Sequence, residues 1–119
     1  MRSLYWPFLA DARGRRLAQA LAGLTALAFA GALYLAFSAP KEKVMGDVFR
    51  IFYFHVPSAW TAYLSFGVVA LASLLFLWQR DRRWDALALC SAEIGVVMTT
   101  LTLITGSMWG YQVWGAWWA

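Results

Sequence analysis

The sequence predicts an all-α integral membrane protein with three transmembrane helices. Hydrophobic residues make up 62% of the 119 positions and charged residues only 13%, against about 25% charged in ordinary soluble domains. A soluble domain of this size could not cover its core with so few charges. The ten lysines and arginines also fall in three short clusters separated by long uncharged stretches. This pattern predicts loops and spans in contact with membrane lipid, and no nucleic-acid partner despite the net charge of +4.

The first predicted span covers residues 17–37 and carries no charge. Its 21 residues match a hydrocarbon core of about 30 Å at about 1.5 Å per residue. The arginines just before it also suit a signal peptide. However, the run exceeds the usual h-region of about 7–15 residues, and Pro40 follows the small residues after it. We therefore expect a retained helix.

The second and third spans are predicted over residues 56–78 and 86–105, joined by a tight hairpin. Pro57 is tolerated at a helix start because its missing N–H would be unpaired there. Glu93 interrupts the third span, where an ionised carboxylate costs on the order of 2.5–3.5 kcal/mol. Glu93 is interpreted either as an interhelical hydrogen-bonding residue or as part of a proton relay or transport site. Residues 1–119 thus form a single membrane domain.

Orientation follows from the distribution of lysine and arginine, which favour the cytoplasmic side. One side of the predicted membrane holds Lys41, Lys43 and Arg50. The other side holds the larger set: Arg2, Arg13, Arg15, Arg16, Arg80, Arg82 and Arg83. This asymmetry predicts a cytoplasmic N-terminus. The loop 38–55 and the segment 106–119 then share the outer face, where we expect the functional residues.

His55 is the only histidine and lies at the predicted outer mouth of the second span. A neutral imidazole can bind iron, copper or zinc, although a lone histidine can equally serve as a helix cap. Cys90 is a lone cysteine in an apolar run and is expected to be inert packing. The chain contains no Cys-x-x-Cys-His sequence, no glycine-rich phosphate loop and no credible Ser-His-Asp set.

Four tryptophans are concentrated within ten residues near the end of the sequence. Trp109 is interpreted as an interfacial anchor, as is common at membrane surfaces. If the stretch is helical, Trp114, Trp117 and Trp118 share one face and form an apolar shelf, and Gly115 allows close approach of a ligand. Heme needs such a platform, a nitrogen ligand and cations for its propionates. His55 would supply the ligand and Arg50 the cation, although Arg50 also fits a simple flanking charge.

Two motifs on the same predicted side carry a family resemblance. Trp114-Gly115-Ala116-Trp117-Trp118-Ala119 matches the opening of a tryptophan-rich heme-handling signature, with residues 105–110 as its lead-in. Residues 50–60, Arg-Ile-Phe-Tyr-Phe-His-Val-Pro-Ser-Ala-Trp, match the region of a flanking histidine. From about Gly46 onward the sequence resembles the heme exporter protein C (CcmC) family of the cytochrome c maturation system.

The resemblance implies a six-helix protein of the cytoplasmic (inner) membrane, of which this chain would be the N-terminal part. Such proteins hold heme b on the outer face and pass it, without catalysis, to a membrane-anchored heme chaperone beside an ABC-type complex. His55 would be one axial iron ligand, and the tryptophans with Gly115 would line the platform. Alternatives are a cytochrome c synthase-type heme ligation component, a small proton-coupled transporter using Glu93, and a purely structural assembly subunit.

Overall fold

The computed structural model describes residues 11–118, which form three α-helices and no strand: α1 (Ala12–Ser38), α2 (Phe52–Gln79) and α3 (Arg82–Trp114). A short 3-10 helix, Asp47–Ile51, leads directly into α2. All three α-helices are long and apolar enough to cross a membrane. The predicted all-α membrane fold is therefore confirmed. Arg2 and Ala119, which enter the predictions above, lie outside the described residues.

Helix α1 forms a unit of its own. The carboxylate of Asp11 caps its start by accepting from the Gly14 N–H, which satisfies one of the amide groups left free at a helix N-terminus. At the other end the Ala39 N–H donates to the Leu35 carbonyl at 2.9 Å, and Pro40 follows. Ala36 is the one buried residue described in the helix. The remaining surface is largely apolar, as expected of a helix that faces lipid or other helices.

Helices α2 and α3 form an antiparallel hairpin with a turn of only two residues, Arg80 and Asp81. Arg80 adopts the left-handed conformation at φ 56° and ψ 22°, which ends α2. The Asp81 carboxylate accepts from the Arg83 N–H at 2.9 Å and caps α3. The Trp84 indole N–H donates to the Gln79 side chain at 3.0 Å across the turn. The turn is tighter than the predicted connection because both helices extend beyond the uncharged runs.

Small side chains line the buried side of the hairpin. On α2 the buried residues recur at about helical spacing: Ser58, Ala62, Ser65 and Ala72. On α3, Gly95 lies so close to α2 that a Cβ there would be 3.0 Å from the Phe66 Cζ atom. Small residues allow membrane helices to pack closely where the hydrophobic effect gives no drive for association. This packing brings the start of α2 next to the end of α3.

Both helices of the hairpin continue into the segments 38–55 and 106–119, which are predicted to lie on the outer face. Helix α2 begins at Phe52, so that His55 lies in its first turn rather than in a loop, and Pro57 lies in its second turn. Helix α3 continues nine residues past 105 to Trp114. Charge and hydropathy mark where lipid ends, but backbone hydrogen bonding continues as long as side-chain packing supports the helix.

Candidate functional site

Three parts of the chain meet at the end of the hairpin that is opposite the Arg80 turn. They are the start of α2, the last turns of α3 and residues 115–118. The ring of Phe52 on α2 packs edge-to-face on Trp109 of α3, with centroids 5.5 Å apart. One turn closer to the Arg80 turn, the imidazole of His55 reaches Thr105 of α3. The antiparallel arrangement therefore places the only histidine beside the tryptophan-rich segment.

His55 is half-buried and held by α3 at two adjacent residues. Its Nδ1 atom lies 3.0 Å from the Thr105 Oγ1 atom. A Cβ at Gly106 would lie only 3.0 Å from the imidazole Cε1 atom, so the ring packs directly against the backbone there. The Nε2 atom has no hydrogen-bond partner among residues 11–118. The imidazole is thus oriented through Nδ1, and its Nε2 atom is left without a hydrogen bond to these residues.

A cavity of about 250 Å³ lies beside this imidazole and brings His55 together with Trp114, Trp117 and Trp118. The rest of its lining comes from α3 and the residue after Gly115: Thr102, Leu103, Gly106, Ser107, Gly110 and Ala116. Aromatic and small residues therefore dominate the surface, with the imidazole as the titratable group in the lining. Such a cavity suits a flat apolar ligand that carries an electrophilic metal.

A second, smaller cavity of about 110 Å³ shares His55 and Gly106 with the first and is also lined by Ile51, Phe52 and Trp109. Trp109 is predicted to be an interfacial anchor, but its ring packs between those of Phe52 and Trp114. Its Nε1 atom is buried and has no hydrogen-bond partner in the described part of the chain. A buried donor of this kind is unusual in folded proteins. Trp109 therefore lines the smaller cavity, and its role as an interfacial anchor stays a prediction.

The tryptophans do not form a shelf on one helix face, because α3 ends at Trp114. Gly115 takes the left-handed conformation at φ 72° and ψ 10°, and its N–H donates to the Tyr111 carbonyl at 2.9 Å. This is a common way for helices to end, and glycine adopts it without strain. The chain turns back, so that the Ala116 carbonyl oxygen would lie 3.4 Å from a Cβ at Gly110. The helical arrangement considered for this stretch is therefore wrong beyond Trp114.

The turn nevertheless keeps the tryptophans on one cavity. Trp117 stacks on Tyr111, with ring centroids 4.5 Å apart and an interplanar angle of 16°. Trp114 packs edge-to-face on Trp109 at 4.9 Å. Offset and edge-to-face aromatic pairs contribute about 0.5–1.5 kcal/mol beyond area burial. The indoles are thus held in place by other aromatic residues of the protein.

Arg50 lies in the 3-10 helix and does not line either cavity. Its Nε atom donates to the Asp47 carboxylate at 3.1 Å, and the Lys41 ammonium binds the other oxygen of Asp47 at 2.7 Å. The structure therefore brings His55, Trp114, Trp117 and Trp118 together on one cavity, with Gly115 in the adjacent turn. It places Arg50 in an ion-pair cluster outside that cavity.

The preceding turn is organised by Glu42. Its carboxylate accepts from the backbone N–H groups of Met45 at 2.6 Å and Val44 at 2.8 Å. These bonds, led by the one from Met45, hold the pKa of Glu42 below its usual value. The Gly46 N–H closes the turn on the Glu42 carbonyl at 3.0 Å. This turn leads into the 3-10 helix that precedes His55.

Glu93 lies away from this site on the exposed surface of α3. Twelve residues of helix separate it from Thr105, which corresponds to about 18 Å. It has no hydrogen bond or ion pair within residues 11–118. The same residues contain no group of three or more His, Cys, Asp and Glu side chains placed to hold a metal ion.

Sequence reasoning missed Thr105 and Gly106 as parts of the site, although both fall in a segment that it singled out. The available signal was the spacing of small residues at Thr102, Gly106 and Gly110. Residues four apart share a helix face, and all three line the larger cavity. This spacing places the three residues on one face only if α3 continues beyond residue 105, and the predicted span ended there.

Comparison with known proteins gives a consistent result. The heme exporter protein C family matches residues 6–119. A putative cytochrome c biosynthesis ccmC-like mitochondrial protein from Marchantia polymorpha is 36% identical over 113 residues, which cover 94% of this chain and 50% of that protein. Heme exporter protein C of Bradyrhizobium diazoefficiens is 39% identical over 98 residues, 82% of this chain and 37% of that protein.

Heme exporter protein C of Escherichia coli K12 is 42% identical over 83 residues, 67% of this chain and 33% of that protein. The chain thus spans half or less of the length of these curated relatives. No solved structure matches the sequence.

Proposed function

The chain belongs to the heme exporter protein C family, and on that basis we propose that it binds heme where His55 meets the tryptophan-rich segment and delivers it for cytochrome c maturation. The observation that carries this proposal is the shared cavity. The only imidazole of the chain and the indoles of Trp114, Trp117 and Trp118 line the same space of about 250 Å³. An iron ligand and an aromatic platform are therefore within reach of one porphyrin.

The residues fit the chemistry of heme. His55 would bind the iron through Nε2, because Nδ1 is engaged with Thr105. The indoles would cover a porphyrin face, and the buried N–H of Trp109 is a donor near the smaller cavity. We propose that heme would be held without thioether bonds, as heme b; these 119 residues contain no Cys-x-x-Cys-His sequence. When bound, heme supplies the iron centre to which the imidazole coordinates.

The size of the cavity bears on how heme would be held. Enclosed pockets for drug-sized ligands measure about 300–1,000 Å³, whereas this cavity measures about 250 Å³. It would take one face or edge of a porphyrin and leave the rest uncovered. Partial coverage suits a protein that passes its ligand on rather than one that stores it. Arg50 would contact a propionate in one of two ways: its guanidinium would bind Asp47 and the propionate together, or its ion pair with Asp47 would break.

The wider setting is proposed from the family. The three membrane-length helices would belong to a six-helix protein of the cytoplasmic membrane with a cytoplasmic N-terminus. His55 and the tryptophans would then lie on the outer face, next to a membrane-anchored heme chaperone and an ABC-type complex. The protein would have no catalytic role in this pathway. The second axial ligand would come from outside residues 11–118.

An absorbance spectrum of the purified protein, as isolated and after addition of hemin and removal of the unbound hemin, tests the proposal. We expect a Soret band in the parent protein and its loss in His55→Ala. The matched control is Thr61→Ala, which truncates another α2 side chain that lines neither cavity and should keep the band. If the parent shows no Soret band even with hemin, or if His55→Ala retains it, the iron-ligand role of His55 is refuted.

A further inference from the structure

Thr105 places its hydroxyl between two groups that both form hydrogen bonds. The Oγ1 atom lies 2.7 Å from the Leu101 carbonyl oxygen in the same helix and 3.0 Å from the His55 Nδ1 atom on α2. A weaker contact of 3.3 Å reaches the Thr102 carbonyl. A hydroxyl has one proton to donate but two lone pairs that can accept. Whether the hydroxyl donates its proton to the Leu101 carbonyl or to Nδ1 therefore determines whether Nδ1 is a hydrogen-bond donor or an acceptor.

The distances assign the proton to the Leu101 carbonyl. An oxygen–oxygen separation of 2.7 Å is the usual length of an O–H···O bond, and without a proton between them the two oxygens would repel. Five other helical hydroxyls behave in the same way, since each donates to the carbonyl four residues earlier at 2.7 or 2.8 Å: Thr25, Thr61, Thr100, Thr102 and Ser107. This back-bonding is typical of serine and threonine in helices.

With its proton committed to Leu101, the Thr105 hydroxyl can only accept from His55. The Nδ1 atom must then carry the hydrogen, and a neutral imidazole protonated at Nδ1 has its free lone pair on Nε2. Gly106 supports the same orientation, because the ring lies against its backbone at the Cε1 edge. The imidazole is thus fixed in both tautomer and orientation before any ligand arrives.

We infer that Thr105 is a positioning residue that holds His55 as the Nδ1–H tautomer and so presents the Nε2 lone pair to iron. Its consequence for heme rests on the function proposed above. The tautomer itself depends only on the hydrogen bonds of the Thr105 hydroxyl to Leu101 and His55. Histidines that bind metals are commonly fixed in this way by a partner at the other ring nitrogen.

The tautomer can be measured without heme. His55 is the only histidine in the chain, so selective ¹⁵N labelling of histidine gives a single pair of ring resonances. At alkaline pH, where imidazole is neutral, we expect a protonated Nδ1 and an unprotonated Nε2 in the parent protein. Thr105→Ser keeps the oxygen and should keep this pattern. Thr105→Val removes the acceptor, and the two resonances should move together as the tautomers mix.

Heme titration of the same variants tests the consequence. Loss of one neutral hydrogen bond corresponds to a change of about 2- to 12-fold in an equilibrium constant, so we expect that loss of heme affinity in Thr105→Val and near-parent affinity in Thr105→Ser. If Thr105→Val matches Thr105→Ser in both tautomer and affinity while His55→Ala abolishes binding, the role of Thr105 is overturned and the proposed function stands. If the parent protein binds no heme, the proposed function fails, and the ¹⁵N spectra alone decide the role of Thr105.

Discussion

Replacing Gly106 by alanine is the sharpest test of the site geometry. The added Cβ would lie 3.0 Å from the Cε1 atom and 3.5 Å from the Nδ1 atom of His55. Carbon atoms prefer separations of about 3.5–4.0 Å, so the ring must move away from α3 by about 0.5–1.0 Å. Because Thr105 is the neighbouring residue on the same helix, that movement also lengthens the bond from Nδ1 to Oγ1, which is 3.0 Å.

The size of the effect follows from that displacement. A bond stretched beyond about 3.5 Å no longer meets the geometry of a hydrogen bond, and the loss of one such bond costs about 0.5–1.5 kcal/mol. At 1.4 kcal/mol per tenfold change in the equilibrium constant, Gly106→Ala should weaken heme binding about 2- to 12-fold. The helix itself should not suffer, because alanine is favoured over glycine in helices by about 1 kcal/mol.

Gly67 on α2 provides the matched control. A Cβ there meets nothing within 4 Å, so Gly67→Ala makes the same chemical change in the same hairpin without touching His55. Hemin titration followed at the Soret band, with thermal unfolding measured in parallel, separates the two effects. Equal dissociation constants for Gly106→Ala and Gly67→Ala would refute the argument that the backbone at Gly106 positions the imidazole.

Three further outcomes are expected. Trp117→Ala should weaken hemin binding about 2- to 12-fold, given about 0.5–1.5 kcal/mol for an aromatic stacking pair. Trp78 is 84% exposed at the other end of the hairpin, and Trp78→Ala should leave the titration unchanged. Glu93→Gln should keep the heme spectrum of the parent, because about 18 Å of helix separates it from Thr105; a lost Soret band would instead connect Glu93 to the site. Because the pKa of Glu42 is lowered, its ionised carboxylate stabilises the turn fully at pH values above the usual pKa range of carboxyl groups. This stabilisation is lost as the pH falls through the lowered pKa. The protection of the Val44 amide against hydrogen exchange should therefore fall on acidification toward the protection seen in Glu42→Gln. Identical protection in the two proteins at every pH would contradict this.

The fold was predictable because long uncharged, apolar segments of the sequence are enough to indicate membrane-length helices. A run such as residues 17–37 without charge has few alternatives to a membrane-length helix. The proximity of His55 to the tryptophans was also predictable, since two successive spans return the chain to the same side. Neither inference depends on the position of any single side chain.

The details of the site depend on packing and were not predictable from composition. Which residue of α3 faces His55 is set by the register between the two helices, and that register depends on close contacts such as the one between Gly95 and Phe66. A shift of one residue would replace Thr105 as the partner of the imidazole. The end of α3 depends similarly on Gly115, whose tolerance of positive φ ends the helix. The tryptophan-rich motif includes Gly115, but helical periodicity alone predicts that the helix continues beyond it.

The tryptophan side chains are held in place but remain largely exposed. Trp114, Trp117 and Trp118 are 64%, 54% and 71% exposed, although the glycine turn and the stack on Tyr111 hold the segment in place. Under the proposed function, such a preformed site would lose little conformational entropy when it binds a porphyrin. Because the indoles remain more than half exposed, burial contributes only part of the affinity that an enclosed pocket would give. Under the proposed function, a receiving protein would therefore compete for heme from the uncovered side without first opening the hairpin.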